Sequence, residues 1–534
     1  MRLGRTTRAL LAVFWTGVAG AASDASVFET AGTSTPETAI DEIVFRALAK
    51  KGLRPMFCTD AVFVRRAYLD TIGTLPTAQE AREFIQDPSL TKRRALIERL
   101  LQRDEFADYW AMKWSDLLRV KAEFPVNLWP NAAQAYHHWI RASIRDNKPY
   151  DAFVREMLTA NGSNFRVGPV NFYRAIPART PEGIASAVAL TFMGTRTEAW
   201  PTNALADLSV FFSQVGYKPT REWKEEIVFW NPDKGLVPAA ASSNLAVRAE
   251  PTVGVLPDKT KVKLPPDRDP REVFADWLVS PKNPWFTASL CNRVWAWFMG
   301  RGIVHEPDDF RPDNPPSNPA LLARLQKEFV KSGYDTKALM RLILTSRVYQ
   351  LSSVAPAAKV QAGEALFAAY PLRRLDAEVL IDAINKVTGT TDLYTSAIPE
   401  PFTFIPENKP AISLPDGSIT SPFLELFGRP ARATGLENER VNRPLPPQSM
   451  HLLNSSHIQR KLEEGPVLKR LLDPSRKPQE IVEELYLTIL SRLPTSEERS
   501  KIEDYMKSGV VKGREAGIDL AWALINSDEF LYRH

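Results

Sequence analysis

Cysteine and histidine are scarce: the 534-residue chain has two of the first, Cys58 and Cys291, and six of the second. No zinc site of the usual Cys/His kind can be read from their spacing, and no metal ligand or cofactor is expected. The two cysteines lie far apart in sequence. They either close one long-loop disulfide or stay as two separate buried thiols, with the thiols favoured. Glycine is outnumbered by proline, 25 to 42, which argues against flexible linkers and for helices joined by stiff turns. A dominant charge sign is also lacking. The formal net charge of +5 drops to +2 once Arg2, Arg5 and Arg8 are set aside, so neither nucleic acid nor an anionic membrane is an expected partner. Past the N-terminus no apolar run is long enough for a membrane span.

What is present begins with an export pattern. Arg2, Arg5 and Arg8 precede the short apolar run Ala9 to Val18, and Ala19-Gly20-Ala21 offers small residues for cleavage near Ala21. Residues 1–21 read as a signal peptide and 22–38 as a disordered polar tail, which places the mature chain in the periplasm or outside the cell. The alternatives are an uncleaved anchor and an ordinary first helix.

Apolar residues at helical spacing predict a mainly α chain of many helices, with a small β-containing segment around 224–268. The length predicts more than one domain. An N-terminal helical domain is placed at 39–235, a proline-rich β-containing linker at 236–268 and a C-terminal helical domain at 269–534. Residues 129–162 read as helical, and Trp295 and Trp297, two apart on one helix, should face different ways and leave one exposed. One pattern occurs twice. Leu69-Asp-Thr-Ile-Gly-Thr-Leu-Pro-Thr77-x-x-Glu80 matches Leu487-Thr-Ile-Leu-Ser-Arg-Leu-Pro-Thr495-x-x-Glu498, and Asp104-Glu105-Phe106 and Asp528-Glu529-Phe530 follow. A stop, a proline, a threonine N-cap and a glutamate three residues on make a helix–turn–helix corner written at both ends of the chain.

Two acidic stretches can carry chemistry. In His305-Glu-Pro-Asp308-Asp309-Phe-Arg311, followed by Asn314, the carboxylates can hold a hard cation or act as an acid/base pair; equally, they can cap a turn while Arg311 fixes the loop. In Glu437-Asn-Glu439-Arg440-Val-Asn442, leading on to His451 and Asn454, two carboxylates beside arginine and histidine can line a polar cleft or form a buried salt-bridge network. Asp308, Asp309, Glu437, Glu439 and His451 are therefore the catalytic candidates, and Arg311, Asn314, Arg440, Asn442 and Asn454 the binding candidates. The adjacent pair His137-His138 reads as one packed and one exposed imidazole. The tryptophans, Trp110, Trp114, Trp129, Trp139, Trp295 and Trp297 among them, read as core or as sugar-stacking platforms.

The chain resembles the paired domains of unknown function that accompany planctomycete-type cytochrome c domains in large exported proteins. Phe63-Val-Arg-Arg-Ala-Tyr-Leu-Asp-x-x-Gly-x-Leu-Pro-Thr77, Tyr109-Trp-Ala-x-Lys-Trp114 and Asn147-Lys-Pro-Tyr-Asp151 resemble the first domain. Asn292-Arg-Val-Trp295, Gly300-Arg-Gly-Ile303, Asp308-Asp-Phe-Arg311, Asn314-Pro-Pro-Ser-Asn-Pro319, Tyr349-Gln-Leu-Ser352, Phe427-Gly-Arg-Pro430 and His451-Leu-Leu-Asn454 resemble the second. The departures matter as much. The family's Cys-x-x-Cys-His-x-His haem-attachment segment is cut out between Glu198 and Trp200, its Cys-x-Cys-Glu position reads Leu436-Glu-Asn438-Glu439, and no cytochrome domain is read ahead of residue 39. Haem is therefore not expected. The resemblance implies an exported helical scaffold or accessory protein for a partner protein or glycan, such as a neighbouring sulfatase-like protein, in polysaccharide degradation. The alternative is a haem-independent hydrolase using the carboxylates at 308–309 and 437–439.

Overall fold

Threonine, serine and aspartate side chains cap several of the helices, and left-handed residues such as Gly300 and Ser491 stop others. The computed structural model describes residues 27–30, 35–236, 252–354 and 363–534. The chain is mainly α. In order, the helices that position the features below are α1 (Ala39–Lys50), α2 (Asp60–Thr71), α3 (Ala78–Gln86), α4 (Lys92–Leu100), α5 (Asp104–Leu117), α6 (Pro130–Arg145), α7 (Tyr150–Thr159), α8 (Pro181–Val188), α9 (Pro270–Leu278), α10 (Phe286–Met299), α11 (Ala377–Thr388), α12 (Pro446–Asn454), α13 (Ser456–Glu464), α14 (Pro478–Leu490), α15 (Ser496–Lys507), α16 (Arg514–Ile525) and α17 (Asp528–Leu531). Strands are short: β1 (Glu29–Thr30) pairs with β2 (Phe57–Cys58), β3 (Gly162–Ser163) and β4 (Val215–Pro219) flank β5 (Glu226–Trp230), β6 (Thr252–Val255) pairs with β7 (Lys261–Leu264), and β8 (Arg373–Arg374) pairs with β9 (Tyr532–Arg533). Among the described residues no helix is long and apolar enough to cross a membrane.

The repeated corner has the same geometry in both copies. Gly73 and Ser491 end their helices at φ of 64° and 60°. Thr77 and Thr495 cap α3 and α15, and Glu80 and Glu498 return the bond in complete capping boxes. Arginine then ties each box to its downstream Asp-Glu-Phe segment. Arg103 reaches Glu80 at 2.9 Å and Glu105 at 2.5 Å, while Arg492 reaches Glu498 and Glu529 at 2.7 Å each. The two copies pack on one another: Arg65 of α2 donates to the carbonyls of Ile489 and Phe530, and Arg82 of α3 pairs with Glu484 of α14.

The structure corrects some expectations and bears out others: a β element within 224–268, two separate buried thiols, and one packed and one exposed histidine. The helical run at 129–162 is two helices, because Asn147 adopts φ of 51° and Pro149 precedes α7. Trp295 and Trp297 are both buried, since α10 is enclosed on all sides rather than lying on a surface. Within the stretch read as a disordered tail, Glu29–Thr30 pairs with Phe57–Cys58, and the Thr59 hydroxyl donates to the Val27 carbonyl. Within the stretch read as linker, β6 and β7 form a hairpin whose Gly254 lies against Phe211. Cys58 and Cys291 are separate buried thiols. His137 is buried and His138 exposed. The stretch 1–21, read as a signal peptide, and residues 237–251 of the stretch read as linker lie outside the described residues.

Candidate functional site

The two acidic stretches meet. Helix α10 stops at Gly300, whose left-handed φ of 67° turns the chain toward the 305–311 loop, and a methyl group there would collide with Arg373. Asp308, buried at the base of that loop, accepts from Arg293 of α10 at 2.7 Å through Oδ1 and from the backbone N–H of Glu437 at 2.7 Å through Oδ2. Glu437 Oε1 accepts from Trp297 Nε1 at 2.7 Å. Burial, and then the charge of Asp308, pushes the Glu437 carboxyl above the usual range.

The segment that follows α8 docks on the same loop. After α8 a π turn over Ala189–Met193 ends at Gly194, whose carbonyl accepts from the Phe310 N–H at 2.9 Å. Arg293 also donates to the Thr191 carbonyl and Ser289 to the Phe192 carbonyl. Glu306 accepts from Arg196 at 3.1 Å and from Asn438 at 3.4 Å. Thr197–Ala199 form a 3-10 turn, and Trp200 Nε1 donates to Thr195 Oγ1. Glu306 thus bridges the 196–200 segment and the 437–439 turn.

The remaining candidates have other tasks. Asp309 pairs with Arg311 at 3.1 Å, and Asn314 donates to the carbonyls of His305 and Asp309. Glu439 accepts from the N–H groups of Ala433 and Thr434 and from the Thr434 hydroxyl, which caps its own loop. Arg440 donates to Asp116 at 2.7 Å and to Glu378 at 2.6 Å, and Asn442 to Asp376 at 2.8 Å. His451 sits apart, 3.3 Å from His457, which in turn meets Asp392 at 2.7 Å. Burial, and then His457, keeps the His451 imidazole below its ordinary pKa. Asn454 is exposed.

Sequence reasoning missed the larger half of this network. Lys113 and Asp116 of α5 stand among buried aromatic residues and face Asp376 and Glu378 at the start of α11. Asp376 occupies the N-cap position of α11 without capping it. Its carboxylate goes instead to Lys113 at 3.0 Å, Arg533 at 2.9 Å and Asn442. Arg432 joins Asp116 at 2.9 Å, and Arg429 joins Glu378 at 3.3 Å. Arg533 also reaches Asp70, which accepts from the hydroxyls of Tyr349 and Tyr370. Burial raises the carboxyl of Asp376, but Lys113, Arg533 and Arg440 outweigh it and hold it well below the usual carboxylate range. Glu378 is likewise brought down to about 2, burial being outweighed chiefly by Arg440. A charged Lys113 and Asp116 among the aromatic and apolar residues of 109–117 was the available signal. Among the described residues, no three His, Cys, Asp or Glu side chains are grouped to hold a metal ion.

Aromatic side chains stand exposed elsewhere. Trp129, held at φ of 73°, packs on Phe402 with centroids 5.2 Å apart, and Lys224 lies over both Trp129 and the exposed Trp223.

Two family models match the chain. Residues 39–198 match PSCyt2, a protein of unknown function (DUF1549), and residues 270–506 match PSD1, a protein of unknown function (DUF1553). No curated protein and no solved structure matches it. The chain belongs to the family that pairs these two domains of unknown function, those associated with planctomycete-type cytochromes.

Proposed function

We propose that the chain is an exported helical scaffold or accessory protein, without haem, that binds a partner protein or glycan in polysaccharide degradation. One observation carries the reading: the side chains that looked catalytic are committed to holding the structure. Asp308 is neutralised by Arg293, Asp309 by Arg311, and Glu439 is used as a loop cap. A general acid or base needs a free face toward substrate, and these carboxylates point into ion pairs and amides. The exposed Trp223 and Phe402, with the half-buried Trp129 and Lys224 beside them, suit contact with a sugar ring or a partner chain.

One observation favours the second reading, a haem-independent hydrolase. Glu437, a carboxyl pushed up by burial and then by the neighbouring Asp308, has the character of a proton donor. The two readings separate in one experiment. Protein expressed with its leader is assayed for reducing-end release on sulfated and neutral polysaccharides and for retention of a co-expressed exported sulfatase-like protein. The scaffold reading expects retention, no hydrolysis and no haem absorbance. Hydrolysis lost in Glu437→Gln establishes the alternative.

A further inference from the structure

The repeat allows one copy to be read against the other. In the N-terminal copy two stacked rings, Phe63 and Phe84, stand between α2 and α3 with centroids 6.0 Å apart and planes 19° apart, and the space left beside them, lined by Phe84, Lys92 and Leu96, is about 540 Å³. Lys92 and Arg93 of α4 lie over them, 5.1 Å from the Phe84 centroid and 4.7 Å from that of Phe63. In the register that matches Tyr68 with Tyr486 and Thr77 with Thr495, Phe63 falls on Ile481 and Phe84 on Ile502. In the register that matches Asp104 with Asp528, Lys92 and Arg93 fall on Ala516 and Gly517. All four positions are smaller in the C-terminal copy, and all four line a cavity of about 720 Å³ between α14, α15 and α16.

The difference is one of packing and not of framework. Both capping boxes, both arginine bridges and both tyrosines are kept; Arg103 lies 5.9 Å over the Tyr68 ring and Arg492 5.2 Å over that of Tyr486. Leu472 takes the room that Gly517 leaves, but nothing replaces the two rings. Protein interiors are close-packed, so an apolar space this large is ordinarily filled. Its lining includes Arg476, Lys501 and Arg514 against Asp504, although Lys501 also pairs with Glu497 on its own helix. The groove therefore offers an aromatic-sized apolar interior with a cationic edge.

We propose that this groove docks a partner-protein segment that inserts phenylalanine-like rings where the N-terminal copy uses its own Phe63 and Phe84, with carboxylates flanking them to meet Arg476 and Lys501. The proposal rests on the partner-binding reading and names the chemistry of the partner. Helix-in-groove recognition of this type places its anchors one turn apart.

The test uses the full mature chain and a synthetic helical peptide. The peptide carries two phenylalanines one turn apart, flanked by aspartate and glutamate, with binding read by fluorescence anisotropy. Replacing both phenylalanines by alanine, or the acids by lysine, is expected to weaken binding by about tenfold or more. The chain variant Ile481→Phe/Ile502→Phe, which restores the missing rings, should lose the peptide by a similar factor. Ile502→Phe alone serves if the double variant does not fold by circular dichroism. Equal binding of the alanine peptide, or unchanged binding to the filled variant, overturns the proposal. So does a concentration-dependent dimer that Ile502→Phe abolishes, since the occupant is then a second copy. A filled variant that still retains the sulfatase-like protein sinks the groove but spares the scaffold reading. A wild-type chain that binds the acidic-aromatic peptide yet retains no sulfatase-like protein does the reverse for that partner.

Discussion

Asp308 is an acid without freedom: its two oxygens are taken by Arg293 and the Glu437 amide, and its side chain is almost fully enclosed. Removing one member of a buried pair strands the other charge, which typically costs about 3–5 kcal/mol. Asp308→Ala is therefore expected to lower the denaturation midpoint sharply, whereas Asp309→Ala, whose partner Arg311 is exposed, costs under about 1 kcal/mol. Titration gives a second expectation. Burial raises Asp382, which accepts from the amides of Ala411 and Ile412, to about 7. A carboxyl raised in the folded state binds its proton more tightly there than in the unfolded chain. Its contribution is complete at low pH and is lost as pH rises from the ordinary carboxylate range through 7. The difference between wild type and Asp382→Asn, measured by denaturant between pH 4 and 8, should fall across that window, while His137 and His534, held down by burial, give stability of the opposite slope below the ordinary imidazole pKa. The pair Asp308 and Glu437 was legible as two acidic stretches because each is a local motif. Asp116, Asp376, Glu378 and Arg533 were not, because nothing local says that charges some 260 and 420 positions away from α5 meet in the interior.

At the scale of elements, capping and clamping divide the work. Thr77 and Thr495 each satisfy an orphan amide of their helix, a bond worth about 1 kcal/mol on replacement by alanine. The arginines differ more. Arg492 is nearly buried and bridges Glu498 and Glu529 with paired contacts, while Arg103 is a third exposed. Arg492→Ala is expected to cost about 3 kcal/mol and Arg103→Ala about 1 kcal/mol or less, read as shifts in urea midpoint at constant slope. The corner was readable in advance because stop, proline, cap and glutamate lie within a dozen residues. The arginine bridges were not, since Arg103 precedes its Asp-Glu-Phe segment while Arg492 sits before the Leu-Pro of its corner. One role is filled from two places in the pattern.

Over the whole molecule, the two matched domains are joined through their interiors. α5 supplies Lys113 and Asp116 to acids and arginines of the second domain. Arg66 of α2 donates to carbonyls of Tyr349, Leu351 and His534. A boundary drawn at 236–268 from composition marks where the chain crosses over, and the contacts cross it freely. Acid should loosen this join first: Asp376 and Glu378 are depressed, so the stability they give is present above the ordinary carboxylate range and is lost as pH falls toward 2. The most direct test is differential scanning calorimetry of the full mature chain near neutral pH. The shared ionic core requires one transition, with calorimetric and van't Hoff enthalpies equal, that moves as a unit when Arg440→Ala is introduced. Two resolved transitions, only one of them shifted by Arg440→Ala, would contradict it.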